Sequence, residues 1–301
     1  MKRLLGCLVL LLALPVSSPA RASAQVEYRS VFGVHPSVVA PGHIYLGITA
    51  ETATHLKIYD QQQGRYVSQP ANMVFNDVGL NTFLAYGLTD RVTLFARVPL
   101  RSVHLYSLNG TTIGKGFGDP RLGGTFSLLA AGRPSSLAVS LSATIPLGAN
   151  TPPGEGRYPL GLDATALNGS VIGRAPMGPY SVLYSAYYRF VTNDRSADCG
   201  DGTGFYLVLD RYAETDFGNF SWDLGVHGDY TIHDRIPGSP IDASYDDSFG
   251  ILAGLTYYYS PTLAFDVGIP YTVYQKHAWF TKYSVSIGVE YEIGHTRANK
   301  G

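Results

Sequence analysis

Two cysteines, three methionines, two tryptophans and a charged fraction of only 15% in 301 residues set the first limits on this chain. With so few cysteines a disulfide scaffold is excluded. Lys plus Arg total 22 against 23 acidic residues, a net charge of −1, so the basic excess that marks a nucleic-acid binder is missing. Past the N-terminus no apolar run approaches the roughly 18 residues of a membrane-crossing helix. Enzyme signatures are thin as well. There is no Gly-x-Ser-x-Gly or His-Glu-x-x-His, and Gly114 to Gly118 (GKGFG) lacks the spacing of a phosphate loop. The chain reads as non-enzymatic, with no cofactor. What it has instead is 22 Tyr, 13 Phe and 34 Gly, a β composition with less charge than the roughly 25% of a soluble domain.

Residues 1–24 read as a cleaved signal peptide: Lys2 and Arg3, an apolar stretch from Leu4 to Val16, and Ala22-Ser23-Ala24 as the small-residue site. Its removal leaves a chain beginning at Gln25, takes away Cys7 and three basic residues, and shifts the net charge to −4. Cys199 is then the only thiol, which reads as a loop residue.

The remainder alternates with period two, the signature of strands with unlike faces. Phe220, Trp222, Leu224, Val226 and Tyr230 oppose Ser221, Asp223, Gly225, His227, Asp229 and Thr231. Leu137, Val139, Leu141, Ala143 and Ile145 oppose Ser136, Ala138, Ser140, Ser142 and Thr144; Tyr283 to Ile293 repeats the pattern. A sandwich shares such alternation, but two features favour a membrane barrel. The strands run about 10–14 residues, against a globular mode near 5–6 and about 9–11 needed to cross a bilayer at a tilt. Their connections also alternate, short at Gly87–Asp90, Ala131–Pro134, Ala175–Pro179, Thr215–Asn219 and Ser260–Thr262, mostly longer in between. The fold expected is an all-β, closed antiparallel transmembrane β-barrel of about 12 strands over residues 42–294. Residues 25–41 form an N-terminal periplasmic or plug segment, and 295–301 a C-terminal extension. Tyr86, Tyr180, Tyr257, Tyr258, Tyr259, Tyr271, Trp279 and Phe280 read as aromatic girdles at strand ends.

An Arg or Lys facing lipid at the midplane costs about 2–4 kcal/mol, which assigns the charged strand residues to the lumen. Glu51, Arg97, Arg101, Asp119, Arg121, Arg189, Asp223, His227, Asp229, Asp266, Glu290 and Glu292 are the lumen-lining candidates. Two readings stand: a polar path for a solute, or an ion-paired brace in a non-conducting barrel with a structural or surface-interaction role. Asp223, His227 and Asp229 share a face but spread over about 20 Å at about 3.3 Å per residue, so no metal site is expected. Pro99, Pro146 and Pro270 are possible strand bulges near the outer rim; they either end strands there or open a lateral gap toward lipid. The acidic outer loops, with Asp194, Asp198, Asp201, Asp234, Asp242, Asp246 and Asp247, read as solvated loops, with cation-bridged lipopolysaccharide as the alternative.

Ser286, Gly288, Tyr291 and Ile293 in the last strand resemble the C-terminal signal by which outer-membrane barrels meet their assembly machinery. Leu84-Ala-Tyr-Gly-Leu-Thr-Asp-Arg-Val-Thr-Leu94, Val98-Pro-Leu100, Gly116-Phe-Gly-Asp-Pro120 and Ile145-Pro-Leu-Gly148, in that order, resemble the family called putative MetA-pathway of phenol degradation. The resemblance implies a bacterial outer-membrane channel, in contact with outer-membrane lipid and lipopolysaccharide, that passively admits small hydrophobic or aromatic solutes.

Overall fold

The alternation resolves into long strands because each has one row that only lipid accepts and one that only an enclosed interior accepts. The computed structural model describes residues 39–60, 65–68, 74–107, 110–129, 135–148, 165–192, 201–232, 245–276 and 280–294. The signal peptide, most of the segment 25–41, the extension 295–301, Cys199, Trp279 and most outer-loop acids lie outside the described residues. The strands are β1 (Ile44–Asp60), β2 (Arg65–Ser68), β3 (Val74–Gly87), β4 (Val92–Ser107), β5 (Gly110–Phe117), β6 (Arg121–Ser127), β7 (Ser136–Thr144), β8 (Thr165–Met177), β9 (Tyr180–Thr192), β10 (Gly202–Thr215), β11 (Gly218–Ile232), β12 (Tyr245–Ser260), β13 (Leu263–Lys276) and β14 (Phe280–Ile293).

All neighbouring strands pair antiparallel, and β1 returns to β14 from Ile44↔Ile293 to Lys57↔Phe280, so the sheet closes on itself. β2 pairs only with the outer end of β1 and β5 only with the outer end of β4. The wall therefore holds twelve strands, as the alternation implies, and β2 and β5 are additions above it. Closure leaves no edge of unpaired backbone groups facing hydrocarbon, which could not satisfy them.

Residues opposite each other on antiparallel strands point to the same side of the sheet. Following the ladders around the wall puts Ile48, Leu84, Leu94, Leu141, Leu207, Leu255 and Ile287 outside, with Leu141 66% exposed. Asp210, Ser221, Asp223, Thr256 and Asp266 lie on the opposite face and are buried. The poorly alternating strand β8 follows the same rule. Its lipid side holds Gly169 and Gly173, which Leu141 and the Tyr184 ring cover from the neighbouring strands.

Short turns gather at one end of the barrel. The turn after β3 is held by Thr89, whose hydroxyl accepts from the Arg91 and Val92 amides at 3.2 and 3.1 Å. Gly178 (φ 61°) and Gly218 (φ 128°) take backbone conformations that side chains resist, in or beside two of the two-residue turns. At this end the chain enters along the inside. The Val39 amide donates to Thr93, an inward-facing residue, and the carbonyls of Val39 and Ala40 fill the space a Cβ on Gly87 would need.

The girdle reading needs one correction. Tyr257 and Tyr259 face outward, but Tyr258 between them points inward and is buried, since consecutive strand residues cannot share a face.

The prolines do not coincide with the register shifts of the β12–β13 ladder, which fall between Phe249 and Gly250 and between Tyr258 and Ser260. Pro99 stays in register with Asn81. Its carbonyl accepts from Gly118 at 2.8 Å, so its missing N–H points to the seam where β4 changes partner from β6 to β5. Pro146 follows the end of β7. Pro270 pairs with Leu252, while the β13–β14 ladder skips from Gly268 to Tyr271 around it.

Candidate functional site

The inward rows of twelve strands define the candidate site, the lumen. Eleven of the twelve charged candidates sit on those rows: Glu51, Arg97, Arg101, Arg121, Arg189, Asp223, His227, Asp229, Asp266, Glu290 and Glu292. Asp119 departs from this, because it belongs to the turn between β5 and β6 rather than to a strand. There its carboxylate accepts from the Gly148 amide at 2.7 Å and ties two outer connections together.

Ladder geometry also brings in residues that were not singled out. Asp77 takes the Arg101 guanidinium. Arg174 lies 3.3 Å from Asp210 and 2.8 Å from the Ser181 hydroxyl, and Ser221 donates to the same Asp210. Tyr187 donates to Asp229, which His227 and Ser248 approach at 3.3 and 3.4 Å. Tyr206 stacks on His227, centroids 5.9 Å apart and planes 17° apart. The sequence signal for Tyr187 was its place two residues from Arg189 on one face. Tyr206 had the weaker signal of sharing parity with Asp210.

The charge is sorted around the wall. Arg97 and Arg101 lie on β4, Arg121 on β6, Arg174 on β8 and Arg189 on β9. Asp210 lies on β10, Asp223 and Asp229 on β11, Asp266 on β13, Glu290 and Glu292 on β14, Glu51 on β1 and Asp77 on β3. Among the described inward side chains the arginines hold one arc of the lumen and the carboxylates the other. The ion pairs run along the wall: Arg101 with Asp77 on the next strand, His43 with Glu292 at 2.9 Å across the closing seam, Arg174 with Asp210 two strands away, and His227 with Asp229 on one strand.

The bulky inward groups also follow the wall. Phe95 lies where a Cβ on Gly123 would stand, Tyr187 over Gly204, His227 over Gly250 and Asp266 over Gly288. Each leans onto a glycine of the next wall strand, always in the same direction around the barrel. Rings that cover strand glycines bury bare backbone, and here they also lie against the sheet instead of standing out across the bore. Among the described residues no group of three or more His, Cys, Asp or Glu side chains is arranged to hold a metal ion.

A closed antiparallel wall with an apolar outer row and a charged inner one defines a transmembrane β-barrel of the outer-membrane type. Within that class, residues 36–283 match the family described as putative MetA-pathway of phenol degradation, and the chain belongs to it. Among solved structures it is similar to the COG4313 outer membrane channel from Pseudomonas putida F1, at 14% identity and a TM-score of 0.68, covering 86% of this chain and 98% of that one. A fainter likeness, with a TM-score of 0.45 and 10% identity, is to the CymD monoaromatic hydrocarbon channel, covering 85% and 90% of the two chains. No curated protein matches the chain.

Proposed function

We propose that this barrel is a passive channel of the bacterial outer membrane for small hydrophobic or aromatic molecules. The observation that carries the reading is the lay of the interior. Four bulky inward groups lie over glycines of the adjoining strand, and four ion pairs run along the wall. A brace needs charges that meet across the bore. A channel needs them gathered at its perimeter, which suits twelve strands, a number between side-chain-filled eight-stranded barrels and open porins. Membership of a family named for phenol degradation and the fold shared with an outer membrane channel support the same reading. No enzymatic role is proposed.

The lipid-facing row sets the surroundings: outer-membrane lipid around the belt, with lipopolysaccharide at the outer rim. Ser286, Gly288, Tyr291 and Ile293 of the closing strand β14 are the residues proposed to meet the assembly machinery. The test is single-channel recording of the purified barrel in planar bilayers, paired with uptake of an aromatic probe into liposomes. Discrete conductance steps and saturable-free, concentration-proportional uptake are expected. An ion- and solute-tight barrel would favour the brace.

A further inference from the structure

Arg97 and Arg121 stand directly opposite each other on β4 and β6, both on the inward row. Like charges at directly opposed strand positions destabilise a sheet, so this pair costs stability without a counter-ion. None is built in: no carboxylate forms an ion pair with Arg97 or Arg121 among the described residues. Instead a third guanidinium, Arg189, lies within electrostatic reach of Arg121. Asp229, an inward carboxylate on the far wall, is already taken up by Tyr187, His227 and Ser248.

The neighbours of this cationic group are rings. Phe95 lies two residues before Arg97 on the same inward row of β4, Phe83 stands opposite Arg97 on β3, and the two rings stack with centroids 5.7 Å apart and planes 27° apart. Two residues on a strand span about 6.6 Å, so flat apolar surface begins where the guanidiniums end. Tyr206 faces the group from β10, within electrostatic reach of both Arg97 and Arg121. Fork-like donors for a planar anion therefore sit beside a surface for a planar ring.

We propose that Arg97, Arg121 and Arg189, with Phe83, Phe95 and Tyr206, form a subsite in the lumen for ionised aromatic carboxylates. The proposal deepens the channel reading and rests on it for its place on a solute's path. It separates the charged aromatic acid from neutral hydrocarbons and from small inorganic anions. The arginines supply the counter-charge, and the rings exclude water from one side of the bound molecule, strengthening that attraction.

The probe is benzoate, titrated calorimetrically and by saturation-transfer NMR into the full-length barrel in detergent. Benzyl alcohol keeps the ring without the charge, and acetate the charge without the ring. Benzoate is expected to bind at least about tenfold more tightly than either, a difference of about 1.4 kcal/mol. The double variant Arg97→Gln/Arg121→Gln should lose that preference while binding benzyl alcohol as before. Phe95→Leu should weaken benzoate and leave acetate unchanged. Because removing the opposed arginines relieves repulsion, the double variant should fold, read as an unchanged shift of the folded band on heating; Arg121→Gln alone serves if it does not. Benzoate binding no better than benzyl alcohol, or equally well to the variants, overturns the subsite. Single-channel recording on the same preparation keeps the two claims apart. A barrel that conducts but binds no benzoate overturns the subsite alone. One that binds benzoate with the expected preference but passes no ions supports the subsite and overturns the channel.

Discussion

At Asp210 the lumen shows how little a single residue's charge means without its neighbours. Asp210 faces Asp223 directly across the β10–β11 ladder, a like-charge pair that would be costly alone. Arg174, reaching in from β8, and the Ser221 hydroxyl make it tolerable. The two halves of the pair are therefore unequal. Removing the cation by Arg174→Gln leaves two buried carboxylates facing each other, and breaking a buried pair this way costs about 3 kcal/mol or more. Removing one acid by Asp210→Asn keeps a hydrogen-bonding group of the same shape and leaves Asp223 on that wall for the arginine, so about 1 kcal/mol is expected. Denaturant titration of the folded, slow-migrating gel band would compare them; equal losses would mean the guanidinium does not hold the acids together. Arg174 and Asp210 were also not picked out from the sequence. Asp210 lies in a strand where Asp, Arg and Tyr succeed one another at residues 210–212, and a run of three polar or amphipathic residues hides the inward row. Parity alone put Arg97, Arg121 and Asp266 on the correct face, because each is flanked by apolar residues on both sides.

The same limit recurs among the elements. The twelve wall strands were legible, since lipid on one side and an enclosed interior on the other impose alternation on each of them. β2 and β5 were not, because Arg65 to Ser68 is too short for a period to show and Gly110 to Phe117 is interrupted by three glycines. The prolines were visible in the sequence, but their effect depended on a partner it could not name. At Pro99 that partner is Gly118, whose amide bonds the proline carbonyl just past the end of the β4–β6 ladder and ties β4 to the chain that follows β5. A lateral exit at this seam would have to break that bond. Pro99→Val restores an N–H on the seam side and leaves the register with β3 unchanged. Uptake of an apolar probe is therefore expected to stay within about twofold, with stability altered by less than about 1 kcal/mol, the range of a compatible proline substitution. A large fall in uptake at unchanged conductance would point to sideways escape.

For the whole molecule the decisive feature is the sorting of charge into two arcs, arginines from β4 to β9 and carboxylates from β10 around to β3. Mixed signs along the chain carry no hint of it, because neighbours along the chain are not neighbours around the wall until the ladders are known. Such a lumen carries a field across its bore, which aligns a dipolar solute while leaving the overall preference for cations or anions to the balance of the two arcs. That balance should be adjustable from either side. Arg101→Gln removes a partly exposed cation from one arc, and Glu51→Gln removes an exposed acid from the other. In a potassium chloride gradient around 0.1 M, where charges act over about 10 Å, the first should move the reversal potential toward cation preference and the second toward anion preference. Near 1 M salt the screening length falls to about 3 Å, and both shifts should shrink. Opposite displacements that fade with salt are what a water-filled bore between two charged walls requires. Displacements of the same sign, or ones indifferent to salt, would place these two side chains off the conducting path and return the interior to the role of a brace.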